Sequence, residues 1–152
     1  MKPVKSVKQA KPEKEKIWGF EGYLLVFAKL TTTMSNSDTF EDLIVWQESI
    51  KLAKDVFILF ENCKTFSLKN QIERAAISVS ANIAEGYELD TNKQCVKHLF
   101  ISKASCGEVR SLLILAKELK LYPEKQIDSI INSSSKLSIM IYNFIRARGG
   151  RK

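Results

Sequence analysis

SLKNQIERAAISVSANIAEGY, residues Ser67–Tyr87, is the stretch whose reading decides the fold. Leu68, Ile72, Ala75, Ala76, Val79 and Ile83 recur three and four residues apart, the period of a helix with one buried face. The spacing predicts a helix over about 68–86, with Ser67 as its cap and Gly86 in the left-handed position that ends it. Its second half is crowded with small residues: Ala75, Ala76, Ser78, Ser80, Ala81, Ala84 and Gly86. Small side chains let neighbouring helix axes approach closely, so this helix is expected at the centre of the packing.

The flanking sequence repeats the helical pattern in both directions. Upstream, Ser37 or Asp38 is expected to cap a first helix, with Glu41 and Asp42 in its positive first turn. Leu43, Trp46, Ile50, Ala53, Phe57 and Phe60 form its predicted seam, widened by Ile44, Leu52, Val56 and Leu59, and it should end near Asn62. Downstream, Thr91 or Asn92 caps a third helix over about 92–121. One seam there runs through Cys95, Leu99, Ser102, Cys106, Val109, Leu113 and Ala116, and a second through Ile101, Ser105, Leu112, Leu115 and Leu119. A helix apolar nearly all round implies a second burial surface, that is, a subunit interface. Tyr122-Pro123 separates it from a fourth helix, because proline at a first helical position needs no amide donor. Ile127, Ile130, Ile131, Ser134, Leu137, Ile141, Phe144 and Ile145 carry that helix to about Ala147, where Gly149-Gly150 ends it. No strand-like alternation persists in 37–147. Four helices with very short connections predict an all-α, antiparallel up-down-up-down four-helix bundle.

A chain of 152 residues, 45% hydrophobic, is long enough to close one core. The formal net charge is +7, but it sits at the ends. Residues 1–33 carry seven lysines against three glutamates, and Arg146, Arg148, Arg151 and Lys152 add four cations at the other terminus, leaving the segment between at −1. No continuous basic face follows from composition. Residues 1–36 read as a disordered or non-native leader, with Met34 as the natural start, followed by the bundle over 37–147 and a basic tail over 148–152. Within the leader, residues 17–30 are too short to span a membrane. The uncharged run Gly22–Ala28 and the TTTMSNS that follows fit a cleaved secretion signal poorly. Three cysteines without a CxxC pair indicate neither a disulfide framework nor a zinc knuckle, and point to reduced thiols in the cytoplasm.

Catalytic and metal chemistry finds little to work with. The single histidine, His98, excludes the paired Glu-x-x-His ligands of di-iron bundles and reads as a surface or packing residue. No HExxH, P-loop or GxGxxG occurs, so neither cofactor nor metal is expected. Five polar residues near the small-residue stretch form a candidate cluster: Arg74, Asn82 and Glu85 on the second helix, Ser105 and Glu108 on the third. They are expected to make a satisfied network that fixes helix register rather than a catalytic site. The candidate nucleic-acid contacts are Arg146, Arg148, Arg151 and Lys152, where charge alone gives salt-sensitive phosphate binding. No interleaving of aromatic and basic residues along the sequence points to base stacking.

Three motifs resemble the four-helix-bundle proteins encoded in intervening sequences of bacterial 23S ribosomal RNA genes. FEDLIVWQ (Phe40–Gln47) is similar to F-x-D-L-x-V-W-Q. QIERAAISVSANIAEGY (Gln71–Tyr87) is similar to Q-I-R-R-A-A-V-S-I-P-A-N-I-A-E-G-F. LFISKASCGEVRSLLILAKELKL (Leu99–Leu121) is similar to L-x-I-A-x-G-S-x-x-E-x-x-x-x-L-x-I-A-x-x-L. Glu73 replaces an arginine of that pattern, Ser80 a proline and Ala104 a glycine, so the second helix is expected to be straighter here. The resemblance implies a homopentameric ring and no established catalytic residues. Similarity to the accessory proteins of diversity-generating retroelements implies association with RNA or a nucleic-acid-processing protein. The expected function is therefore a non-enzymatic oligomer, self-associating and RNA-linked, with no membrane role. The alternative is a protein-interaction scaffold that binds no nucleic acid. A small enzyme using Arg74, Glu85 and Glu108 would need those side chains to converge on a pocket.

Overall fold

The computed structural model describes residues 38–149. The leader over 1–36, the Met34 start, Gly150, Arg151 and Lys152 lie outside the described residues. Within them the chain forms a short 3-10 turn, Phe40–Asp42, and four helices: α1 Ile44–Phe60, α2 Phe66–Glu88, α3 Asn92–Glu118 and α4 Glu124–Ala147. No strand occurs among the described residues. Each helix packs on its neighbours in sequence, and α1 also packs on α4, so the four close around one core. Ile72, Val79, Leu99, Val109, Ile127 and Ile141 are fully buried there. Each such side chain stabilises the fold by about 1.5–3 kcal/mol relative to exposure.

The seam expected for α2 and the first seam expected for α3 are buried throughout, joined by Ser80 and Gly86 on α2 and by Ser105 on α3, whereas Ile101, Leu115 and Leu119 of the second α3 seam are exposed and Leu112 is half-buried. On α4, Ile131 is half-buried, and Ser138 joins the buried set in addition to the expected residues. Thr91 caps α3 as expected, its hydroxyl accepting from the Gln94 amide at 3.3 Å. Ser80, standing where the resemblance expects proline, donates to the Ile77 carbonyl at 3.0 Å inside an unbroken α2.

Helix boundaries and one buried face differ from expectation. Ser37 lies outside the described residues, and the chain does not enter α1 at Asp38: Asp42 accepts from the Thr39 amide at 3.4 Å to close the 3-10 turn. Leu43 is extended, so α1 starts at Ile44. It ends at Phe60 rather than near Asn62. The buried face of α1 is Val45, Ser49, Leu52, Val56 and Phe60, while Ile50 and Phe57 of the expected seam are each 41% exposed. Two ring contacts fix that rotation: Trp46 meets Phe40 at 5.2 Å on one side, and Phe60 meets Tyr122 at 5.1 Å beneath. Ser49 fits a core position because its hydroxyl donates to the Trp46 carbonyl at 2.6 Å. Ser67 does not cap α2, because the Thr65 carbonyl already accepts from the Lys69 amide at 3.0 Å. Pro123 stands one residue before the first helical position of α4.

α3 stops at Glu118, three residues short of expectation. Lys120, at φ 53°, occupies the left-handed position there, with Leu121 bonded back to the Ala116 carbonyl at 3.1 Å and Lys120 to that of Lys117 at 2.9 Å. Among the described residues no helix is long and apolar enough to cross a membrane.

Candidate functional site

α3 presents two long flanks, one to α2 and one to α4, and the polar residues gather along them. The α2 flank is set by Gly86. A Cβ there would lie 3.0 Å from the Cβ of His98 and 3.2 Å from the Cys95 carbonyl oxygen. Gly86 is therefore the point of close helix approach inside α2, not its left-handed terminator, and α2 runs on to Glu88.

Four of the five residues of the expected cluster lie along this seam. Glu108 accepts from the Gln71 amide nitrogen at 2.5 Å. The hydroxyls of Ser78 and Ser105 are 2.9 Å apart, and Ser105 also donates to the Ile101 carbonyl at 3.1 Å. Asn82 donates to the Ser78 carbonyl at 2.9 Å and presents its Oδ1 to His98 Nδ1 at 3.2 Å. Glu85 Oε2 lies 3.2 Å from the same nitrogen. Arg74 does not join: it is exposed and makes no hydrogen bond or ion pair among the described residues. Arg74, Glu85 and Glu108 thus do not converge. Beneath the seam, Ser102 donates to the Val79 carbonyl at 2.8 Å. Sequence reasoning missed Gln71, Ser78 and His98 as members. The signal available was that all three fall on the helix faces carrying the residues it did find.

The chemistry of the seam is limited. A histidine beside a carboxylate can move a proton, and the partners of His98 Nδ1 here are the Asn82 amide oxygen and the Glu85 carboxylate. No group of three or more His, Cys, Asp or Glu side chains among the described residues could hold a metal ion. Cys63, Cys95 and Cys106 are free and buried. Burial pushes the Cys106 thiol up to about 11, against the opposing pull of Arg110, Ser134 and Lys103.

The α4 flank is built differently. Lys103, Arg110 and Lys117 stand seven residues apart on α3, a spacing that keeps them on one side of the helix. Lys117 meets Asp128 at 2.8 Å and Glu124 at 3.6 Å, and the Asp128 hydrogen bond, the largest influence, raises its pKa. Arg110 reaches only the Ser134 carbonyl, at 3.5 Å. Lys103 lies 6.0 Å from the centroid of the Tyr142 ring. Neither Lys103 nor Arg110 forms an ion pair among the described residues.

Of the expected tail contacts, Arg146 is exposed. Arg148 is not a free terminal cation: it donates to Asn92 Oδ1 at 3.3 Å and lies 5.4 Å from the Phe144 ring centroid and 6.0 Å from that of Tyr87. It closes α4 onto the start of α3, because an arginine at a helix end gains both from ring faces and from a neighbouring acceptor.

The pattern of the 23S rRNA-intervening sequence protein family matches residues 41–143, the span that holds all four helices up to the last turn of α4. The chain belongs to that family. A solved member of the S23 ribosomal protein family, a protein of unknown function from Bacteroides thetaiotaomicron, shares the fold at a TM-score of 0.64. It is 23% identical and covers 68% of this chain and 99% of its own. No curated protein matches the chain. Both flanks of α3 lie within the span that the intervening-sequence family matches.

Proposed function

We propose that this intervening-sequence protein is a non-enzymatic, antiparallel up-down-up-down bundle that assembles with copies of itself, as a ring of five, and associates with RNA or an RNA-processing partner in the bacterial cytoplasm. The alternation of helix direction is supported by partner numbers that rise on one helix as they fall on the next: Gln71, Ser78 and Asn82 meet Glu108, Ser105 and His98. Lys103 and Lys117 likewise meet Tyr142 and Asp128.

The observation that carries self-assembly is the outer face of the α2–α3 pair. Ile77 is 50% exposed and Leu119 53%, with Ile101 and Leu115 also exposed, on two helices already packed together. Ala81 and Ala104 stand between the larger residues, a profile that suits another helix better than water. Arg74 and Glu108 on the same face supply opposite charges for a neighbouring copy. RNA is the partner suggested by the family's name and by the cations that no carboxylate neutralises.

The deciding experiment is the mass of the native assembly with and without structured RNA, with filter binding at two salt concentrations. A multiple of the 17.3 kDa chain that retains RNA at low salt and releases it at high salt is the expected result. A single-chain mass at micromolar concentration overturns the assembly, and equal, negligible retention at both salts overturns the RNA association. Ile101→Glu, which places a charge on an already exposed position, should leave the helices intact and break the assembly.

A further inference from the structure

We propose that the groove between α3 and α4, with Lys103 and Arg110 on its rim, is where the protein holds the phosphates of RNA; this rests on the RNA association proposed above and locates it. Three features converge there. Lys103, Arg110 and Lys117 mark a straight line of cations along α3, successive members about 10 Å apart at 1.5 Å per residue. Opposite them stand Tyr142, Ser134 and Asp128. Only the last is a carboxylate, so one cation of the three is neutralised and two are left for an external anion. Both are half-buried, which fixes their stems and weakens the screening of their charge.

Gly107, between the two cations, is the second feature. A glycine inside a helix costs about 1 kcal/mol relative to alanine. At Gly86 the packing explains it, whereas a Cβ on Gly107 would meet nothing within 4 Å except the Arg110 guanidinium at 3.8 Å. Internal packing does not require this glycine. What it provides is an open backbone between two cations, where a ligand can come close.

The third feature is aromatic. Tyr142 is 38% exposed beneath Lys103, and Phe100, 41% exposed, lies one turn away from Lys103 on α3. The alternation of rings and cations that the linear sequence lacks is thus assembled in space from two helices. Ring faces beside cations suit bases stacked between phosphates, and this favours RNA over an acidic peptide, which has no bases to stack.

The test is filter binding of a structured RNA at 50 and 200 mM salt to the full chain and three variants. Lys103→Gln/Arg110→Gln removes both groove cations. Lys54→Gln/Lys64→Gln makes the same charge change at two exposed positions outside α3 and α4. The third variant lacks Arg146–Lys152. The groove variant should lose about tenfold or more in affinity at low salt, and its salt slope should fall by about two, one for each phosphate no longer neutralised. The control pair should change by less than about twofold, since diffuse charge contributes little beyond a Debye length. Gly107→Leu, which fills the groove at constant charge, should weaken retention without altering the helical signal.

Failure of the reading and failure of the inference look different. No retention by the full chain at either salt removes the RNA association and this site with it. Retention by the full chain that is equal in the groove variant and the control overturns the site alone, and a decrease confined to the tail deletion then places binding at the C-terminus. Equal retention of a polyglutamate probe of matched charge, abolished in the same variant, also overturns the inference, because the groove would then read acidic chains in general.

Discussion

The two flanks of α3 carry polar residues at similar density and use them in opposite ways. Towards α2, Gln71, Ser78, Asn82 and Glu85 each find a partner on α3, and the hydroxyls and amides close on one another around the close approach at Gly86. Towards α4, the cations Lys103 and Arg110 have only a ring and a long bond to a carbonyl. Paired polar groups lower the energy of one arrangement of two helices and so fix register. Cations on a rim without a carboxylate partner contribute little to the stability of the isolated chain, and most of their electrostatic free energy becomes available when an anion arrives. The first flank is thus structural, and the second is the one whose cations are open to a ligand.

The largest effect is expected where the helices come closest. Gly86→Val adds branched carbon where a single Cβ already meets the His98 Cβ at 3.0 Å and the Cys95 carbonyl at 3.2 Å. Backbone cannot retreat as a flexible side chain can, so α2 and α3 must separate and strain every bond of the seam. A loss of about 3 kcal/mol is expected, read as a lower urea midpoint at unchanged slope. An unaffected midpoint would show that the seam follows the helices rather than fixing them.

Next in size is an alkaline loss that reports on the other flank. Cys106 is fully buried, and its thiol sits at about 11 instead of an ordinary 9.0. Between those values the unfolded chain releases the thiol proton and the folded chain keeps it. Folding stability therefore falls as pH rises from about 9 to about 11, by about 2 kcal/mol in all. Lys117 works in the same sense, since its raised pKa gives stability that is lost at still higher pH. Urea midpoints at pH 8, 9.5 and 10.5 follow the loss, and Cys106→Ala should flatten it. Arg110 and Lys103 both pull the Cys106 thiol down. Removing them should raise the folded thiol further and so deepen the alkaline loss, with its onset near pH 9 unchanged because the unfolded chain sets it, which tests whether the two cations point their charge into this flank.

A smaller change separates the seam's own bonds from its packing. Ser105→Ala removes the hydroxyl that meets Ser78 at 2.9 Å and the Ile101 carbonyl at 3.1 Å, leaving the helix backbone bonds in place. A cost of about 1 kcal/mol is expected in thermal or urea unfolding. No cost would mean that the half-buried seam is served equally well by water.

How much of this was legible in the sequence depended on how many faces of a helix are apolar. In α2, Asn70, Arg74 and Glu88 are exposed and mark an outer face, so the periodic residues could only be the core, and all of them are. In α1, Ile50, Phe57 and Ile58 remain exposed beside the buried Leu52 and Val56, and period alone cannot rank two apolar stripes on one helix. What settled that rotation was a pair of ring contacts, Trp46 with Phe40 and Phe60 with Tyr122, the second joining residues far apart in the chain. Gly86 was recognisable as special but not for its reason, because a close approach needs knowledge of the opposing helix. The seven-residue spacing of Lys103, Arg110 and Lys117 was visible throughout. Its meaning was not, since it rests on which member of α4 stands opposite each cation.

The smallest expected effect is the most discriminating. Lys103→Gln/Arg110→Gln should leave the urea midpoint at pH 7 within about 0.5 kcal/mol of the parent, because neither side chain has a carboxylate to lose. The long bond from Arg110 to the Ser134 carbonyl at 3.5 Å contributes little, and that carbonyl keeps its place in the α4 ladder. Asp128→Asn, one heptad along the same line, serves as the contrast, since it takes from Lys117 a partner at 2.8 Å and should lower the midpoint more than the double change does. If instead the double variant is the less stable of the two, Lys103 and Arg110 are structural like the seam on the opposite flank, and the distinction between the two sides of α3 collapses. If it is as stable as the parent, two cations and a glycine remain on one helix with no part in holding the fold, and their placement beside two exposed rings has to be explained by something outside the chain.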